Sequence, residues 1–212
     1  MARRPRPGAH EALLEATRAE LERGGFGGAR VEAIARRAGM SKGAFYLHFR
    51  SKEEAFGEIL QRFLGALEAL AARPDEPDGP PGAVPPGREL DWAVDSGLLE
   101  LLWRNRHLFP AIDGAGGGRW SALVADFRRR MRGLAAARIR RHQDAGRLRG
   151  DVDAAVVADV VLGCYEDLGR RMIDMVERPD LGAWARSFQA ILYEGLVTGR
   201  SAPPAGGPAL GA

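Results

Sequence analysis

An all-α fold is predicted by three observations on this 212-residue chain. Apolar residues recur at three- and four-residue steps through most of its length, the spacing that builds one face of a helix. No stretch sustains the apolar/polar alternation of a half-buried strand. Runs of Gly and Pro divide the periodic stretches into roughly nine helices, three short ones followed by a longer set. A hydrophobic content of 45% suffices for a packed core.

Residues 9 to 23 read as the first helix, with Leu13, Leu14, Thr17 and Leu21 on one side. Gly24-Gly25-Phe26-Gly27-Gly28 ends it, and Phe26 is expected to join Phe45 and Phe49 in a small core. Val31, Ile34, Ala35 and Ala38 then place one stripe on a second helix. Gly39 stops this helix by supplying the positive φ of a sharp turn, and Ser41 is placed to cap the next one through its hydroxyl.

In that third helix Phe45 and Phe49, four residues apart, turn inward. Lys42, Gly43, Ala44, Tyr46 and His48 are left facing out. Small residues permit close approach of another molecule, and Lys, Tyr and His offer donors to phosphate or base edges, so this face suits the major groove of DNA. The alternative is a helical hairpin whose Tyr46 and His48 are ordinary surface residues. Lysine usage favours the first reading: of 31 basic residues only two are Lys, and they are Lys42 and Lys52, at the two ends of this element. Ser51 and Glu54 have capping-box spacing for a fourth helix, which puts Lys52 in its first turn, where a phosphate is favoured.

Phe56, Ile59, Leu60, Phe63, Leu67 and Leu70 carry that helix from about Ser51 to Ala72. It is expected to connect an N-terminal head to a C-terminal body. Residues 73–87 are too rich in Pro and Gly for helix or central strand and read as a linker. A strongly apolar helix follows from Leu90 to near His107, and Phe109-Pro110 with the Gly114 to Gly118 run, read as a hinge-like loop, breaks the chain again. A helix from about Arg119 to Ala145 shows Trp120, Leu123, Val124, Phe127, Met131 and Leu134 on one side. Asp153 opens the next, apolar on more than one face as far as Val176, which therefore needs a second covering surface. Leu181, Trp184, Phe188, Ile191, Leu192 and Leu196 define the last helix. The resulting division is 1–52 as head, 53–200 as body and 201–212 as a disordered tail.

The overall charge of +3 is unevenly placed: residues 1–52 hold eleven Lys or Arg against five Glu, leaving the remainder net acidic. A basic head on an acidic body points to nucleic acid as the head's partner. Arg3, Arg4 and Arg6 in the N-terminal arm could add phosphate or minor-groove contacts, or form a solvated tail. The single cysteine, Cys164, fits a reducing cytoplasm and is expected to pack in the core. No apolar run approaches the roughly eighteen residues of a membrane span. His10, His48, His107 and His142 lack zinc-binding spacing, and no Gly-x-Ser-x-Gly is present. No enzyme, metal or cofactor is therefore expected. A helical adaptor would account for the body but not for the polarised head.

The run from Val31 to Glu54, Val-Glu-Ala-Ile-Ala-Arg-Arg-Ala-Gly-Met-Ser-Lys-Gly-Ala-Phe-Tyr-Leu-His-Phe-Arg-Ser-Lys-Glu-Glu, closely resembles the N-terminal signature of the TetR family of bacterial transcriptional regulators. The resemblance spans roughly residues 10 to 60. It implies that Ser41, Lys42, Gly43, Ala44 and Leu47 lie at the DNA, with Lys42, Gly43 and Ala44 towards bases, while Tyr46, His48 and Lys52 hold phosphates. Where family members often carry a Ser or Thr pair this chain has Ala29-Arg30, and Arg30 substitutes by charge. Ala44 replaces a common Thr, leaving an apolar contact to a thymine methyl. For the body the resemblance implies a homodimer joined by its last two helices, binding a double-stranded DNA operator and a small-molecule effector. Trp92, Trp103, Phe109, Phe127, Met131, Tyr165 and Met172 are the expected pocket wall for a mostly apolar ligand.

Overall fold

The computed structural model describes residues 7–74, 92–112 and 118–196, so the N-terminal arm, most of the predicted linker, the Gly114 run and the tail lie outside it. The fold is all-helical, with no β-strand among the described residues. Helix α1, Ala9–Gly28, breaks at Gly25, whose φ of 63° only glycine adopts without strain; the predicted stop falls at this break, but helical turns resume to Gly28.

Helix α2, Val31–Arg37, ends as the glycine requires. With Gly39 at φ 67°, its N–H donates to the Arg36 carbonyl at 3.1 Å and that of Met40 to Ala35 at 2.8 Å, which closes the orphan carbonyls in a Schellman motif. Helix α3 is Lys42–Tyr46, shorter than expected. Beyond Tyr46 the backbone tightens into three-residue bonds, Leu47 N–H to Ala44 and His48 N–H to Phe45, which bring Phe49 onto the same core as Phe45.

Helix α4, Lys52–Ala71, starts on a reciprocal cap: Ser51 Oγ accepts from the Glu54 N–H at 3.3 Å, and the Glu54 carboxylate accepts from the Arg50 N–H at 2.5 Å. The body continues with α5 (Trp92–Arg104), α6 (Phe109–Ile112), α7 (Ser121–Asp144), α8 (Ala154–Ile173) and α9 (Leu181–Leu196). Helix α5 stops short of His107 because the chain turns at Asn105, whose amide donates to the Leu101 carbonyl at 2.8 Å, and a 3₁₀ turn, Arg106–Leu108, follows. Asp153 caps α8, accepting from the Ala155 and Val156 N–H groups. That helix ends at Ile173, leaving Val176 outside it and 95% exposed.

One apolar core runs without interruption from Leu13, Ile34 and Phe45 through Phe56, Ile59 and Phe63 to Leu98, Leu108, Tyr165 and Phe188. Phe26 packs on this core, as expected, with its ring edge-on to Phe56 and Trp120, each 5.2 Å away. One expectation fails: Cys164 is exposed, since α8 buries Ala158, Tyr165 and Gly169 along one face and so turns Cys164 outward. At Gly169 a Cβ would lie 2.2 Å from the ring of Phe109, so α6 can lie this close to α8 only over glycine.

Candidate nucleic-acid interface and effector cavity

The outward face of α3 is built on a buried floor. Phe45 and Ile34 are fully buried and Phe49 nearly so, and each such side chain contributes about 1.5–3 kcal/mol by leaving water. Their burial fixes which residues point away: Ser41, Lys42, Gly43, Tyr46 and Leu47 are exposed, the last two at 49% and 66%. Ala44 is half-buried, and Ser41 Oγ accepts from its N–H at 3.2 Å. Arg30, exposed, opens α2 beside this face.

Three of the basic groups singled out in the sequence already have partners within the chain. Lys42 donates to the Glu32 carboxylate, which holds the Glu32 pKa below and the Lys42 pKa above its ordinary value. His48 is half-buried beside the ring of His10, 5.9 Å between centroids. Lys52 donates to the carbonyls of Phe26 and Ala29, both at 3.0 Å, and lies over the Phe26 ring. Its ammonium thus pins the end of α1 to the start of α4. A phosphate contact there would use its remaining proton.

Head and body meet along α1 and α4. Glu11 and Glu58 both accept from Arg62, and Glu58 also pairs with His10 at 2.9 Å. Arg18 donates to the Asn105 side chain at 2.7 Å. His107 sits in the same seam with its side chain only 9% exposed, and burial first, then Arg18 and Arg106, push its pKa down to about 4. Glu22 is 3.6 Å away, beyond hydrogen-bond reach and half exposed, so it does not offset those effects.

The body holds two adjoining, partly open cavities of about 120 and 130 Å³. Leu98, Met131, Leu162 and Tyr165 line both and form the partition between them. Of the expected wall, Met131 and Tyr165 line both, and Phe109 and Phe127 the second. Trp103 is buried under Arg106, 4.0 Å from its ring, and Met172 is fully buried; neither lines either of these two cavities. The side chain of Trp92 lies outside the described residues.

Sequence reasoning missed the polar groups of the first cavity. Asp95, on α5, accepts from the Tyr165 hydroxyl and from the Gln189 amide at 3.0 Å, joining α5, α8 and α9. Arg138 and His142, one turn apart on α7, are 9% and 3% exposed. Asp95 and Gln189 interrupt apolar stripes and so gave a readable signal; Arg138 is hidden among the many arginines of α7.

Residues 13–59 match the model for bacterial regulatory proteins of the tetR family. The chain is 38% identical over 91 residues to the HTH-type transcriptional repressor DhaR of Mycobacterium sp. (strain GP1), a match spanning 42% of each protein. The ketosteroid transcriptional regulator KstR2 of Mycobacterium tuberculosis has the same fold, with a TM-score of 0.65 at 18% identity over 90% of this chain and 95% of that one. A TetR-like transcriptional regulator from Rhodococcus sp. RHA1 superposes with the same score at 25% identity, covering 91% of this chain and 98% of its own. Residues 13–59 thus match the model for tetR-family regulatory proteins, and the described helices share the architecture of solved TetR-like regulators.

Proposed function

We propose that the chain is a repressor that binds a near-palindromic DNA operator as a homodimer and leaves it when a small molecule occupies the body. The observation that carries this reading is the face of α3, with exposed Lys42, Gly43, Tyr46 and Leu47 on a buried Phe45–Phe49 floor. A helix N-terminus with almost no side-chain bulk at Gly43 and Ala44 can press into a major groove, and Lys42 exchanges Glu32 for DNA. Arg30, Ser41, His48 and Lys52 flank this face as further contacts. The name of the DhaR relative is consistent with repression.

Dimerisation is supported by an unpartnered stripe on α8. Val156 and Val160 are 61% and 56% exposed, with Gly163 and Cys164 in line, and Ile191 of α9 is 75% exposed. Such surfaces rarely face water in a monomer, and a two-fold dimer through α8 and α9 would cover them. Release by an effector is supported by the two cavities beside α4, the helix that carries the head.

Gel-shift titration against operator DNA selected in vitro tests the proposal. Wild type should bind specifically, as a species of twice 22.9 kDa by light scattering, with affinity falling steeply as salt rises. Lys42→Ala with Tyr46→Ala should lose about 1–3 kcal/mol per contact in each head while the circular dichroism spectrum is unchanged. Binding by this variant as tight as wild type would refute the assignment of the face.

A further inference from the structure

Lys42, the first residue of α3, and Glu32, in the first turn of α2, meet tip to tip: the Lys42 ammonium donates to the Glu32 carboxylate, and both side chains are more than half exposed. The hydrogen bond from Lys42, and then the residue's own backbone N–H, hold the Glu32 pKa below its ordinary value, so the carboxylate stays ionised and can only accept. A carboxylate on this face is a liability. When Lys42 turns to DNA, Glu32 loses that ammonium close to a polyanion, and phosphates repel it whatever the sequence. The loss is offset only where the DNA itself offers a donor, and in the major groove the donors are the amino groups of cytosine and adenine.

A C·G pair suits the two tips best. Its cytosine amino group lies about 3 Å from guanine O6, because the two are hydrogen-bonded to each other, and guanine N7 follows as a second acceptor. A carboxylate and an ammonium that already touch are therefore spaced to accept from the cytosine amino group and donate to O6 and N7 together. In an A·T pair the acceptors N7 and O4 are separated by the amino group, and the thymine methyl is set beside charge. Gly43, exposed next to Lys42, adds no side chain that would hold the pair away from a base edge. We infer that Glu32 is a specificity-determining residue, and that Glu32 and Lys42 read one C·G base pair of each half-site as a unit, cytosine by Glu32 and guanine by Lys42. The inference rests on α3 entering the major groove. An exposed ion pair is weak in water, so parting is easy where C·G replaces both partners. At any other base pair at least one of the two charges is stranded.

Selection of half-sites from randomised duplex DNA by the full chain, followed by gel-shift titration of the selected duplex and its single-base-pair variants, tests this. Wild type should select C·G at one position, and any other pair placed there should weaken binding about tenfold or more. Glu32→Ala and Lys42→Met should each relax that same position to within about threefold, while every other position keeps its preference. Glu32→Gln, whose amide both donates and accepts and so matches adenine N6 and N7, should move the preference there towards A·T. Relaxation at two different positions would overturn the shared reading, as would another base pair selected at the position that Lys42→Met relaxes. Unchanged preferences in Glu32→Ala, whatever its affinity, would overturn the role of Glu32, and a uniform rise in affinity would leave it a repeller of phosphate. Selection of no sequence by wild type would overturn the groove-binding reading itself, which the other outcomes leave standing. Glu32 is exposed, so its variants should keep the wild-type circular dichroism spectrum. Should Glu32→Ala fail to fold, the near-isosteric Glu32→Gln still decides.

Discussion

The face of α3 and the lining of the first cavity set their polar groups in opposite surroundings. In the head, Lys42 and Tyr46 stand in water above a floor of Phe45 and Phe49, so the proposed DNA contacts lie outside and packing inside. In the body, Asp95, Arg138, His142 and Gln189 are all 9% exposed or less, so the groups that would read a ligand also hold helices together. An exposed functional group can change without disturbing the fold. A buried one cannot, because losing it leaves its partner unsatisfied at about 1–3 kcal/mol.

The contrast can be broken most forcefully at Gly169. Gly169→Ala sets a methyl group 2.2 Å from a buried Phe109 ring that lines the second cavity, and should cost about 3 kcal/mol, the upper end of overpacking. A melting temperature within a degree of wild type would mean that the body yields as readily as the head. Next is the seam. The His107 pKa is about 4 in the fold against about 6.5 in the unfolded chain, so the unfolded state takes up the proton first on acidification. The stability due to neutral His107 is whole above pH 6.5 and is lost as pH falls towards 4, by about 2 kcal/mol at pH 5. Denaturant titrations at pH 7 and 5 should show that share of the loss disappearing in His107→Leu.

The smallest effect is the most diagnostic. A Cβ on Gly43 would meet only Ser41 Oγ, at 3.8 Å, so the chain itself has no need of glycine there. Gly43→Ala should raise stability by about 0.5–1 kcal/mol, the usual gain inside a helix, while weakening operator binding. If stability and DNA affinity rise together, Gly43 does not face DNA.

The same contrast explains what could be read before the structure. The turn at Gly39, the caps at Ser41, Ser51 and Asp153 and the inward Phe45 and Phe49 depend on neighbours within four residues, and each stands as expected. The partnership of Arg138 with Ala71 and of Asp95 with Gln189 spans 67 and 94 residues, which no local period encodes. Cys164 misled because an apolar helix offers no local sign of which side faces out.

The uninterrupted core bears on how this protein could be recombined. Phe56, Ile59 and Leu60 pack in the same cluster as Leu13 and Ile34, and Trp120 of the body touches Phe56. A chimera spliced at residue 52 would strip the head's core of Phe56, Ile59 and Leu60 and leave Leu13 and Ile34 against a foreign α4. A splice after Ala71 would carry that core along but sever Arg138 from its carbonyls. On the proposed reading of α3, specificity is therefore better exchanged by rewriting its few exposed residues than by trading whole heads.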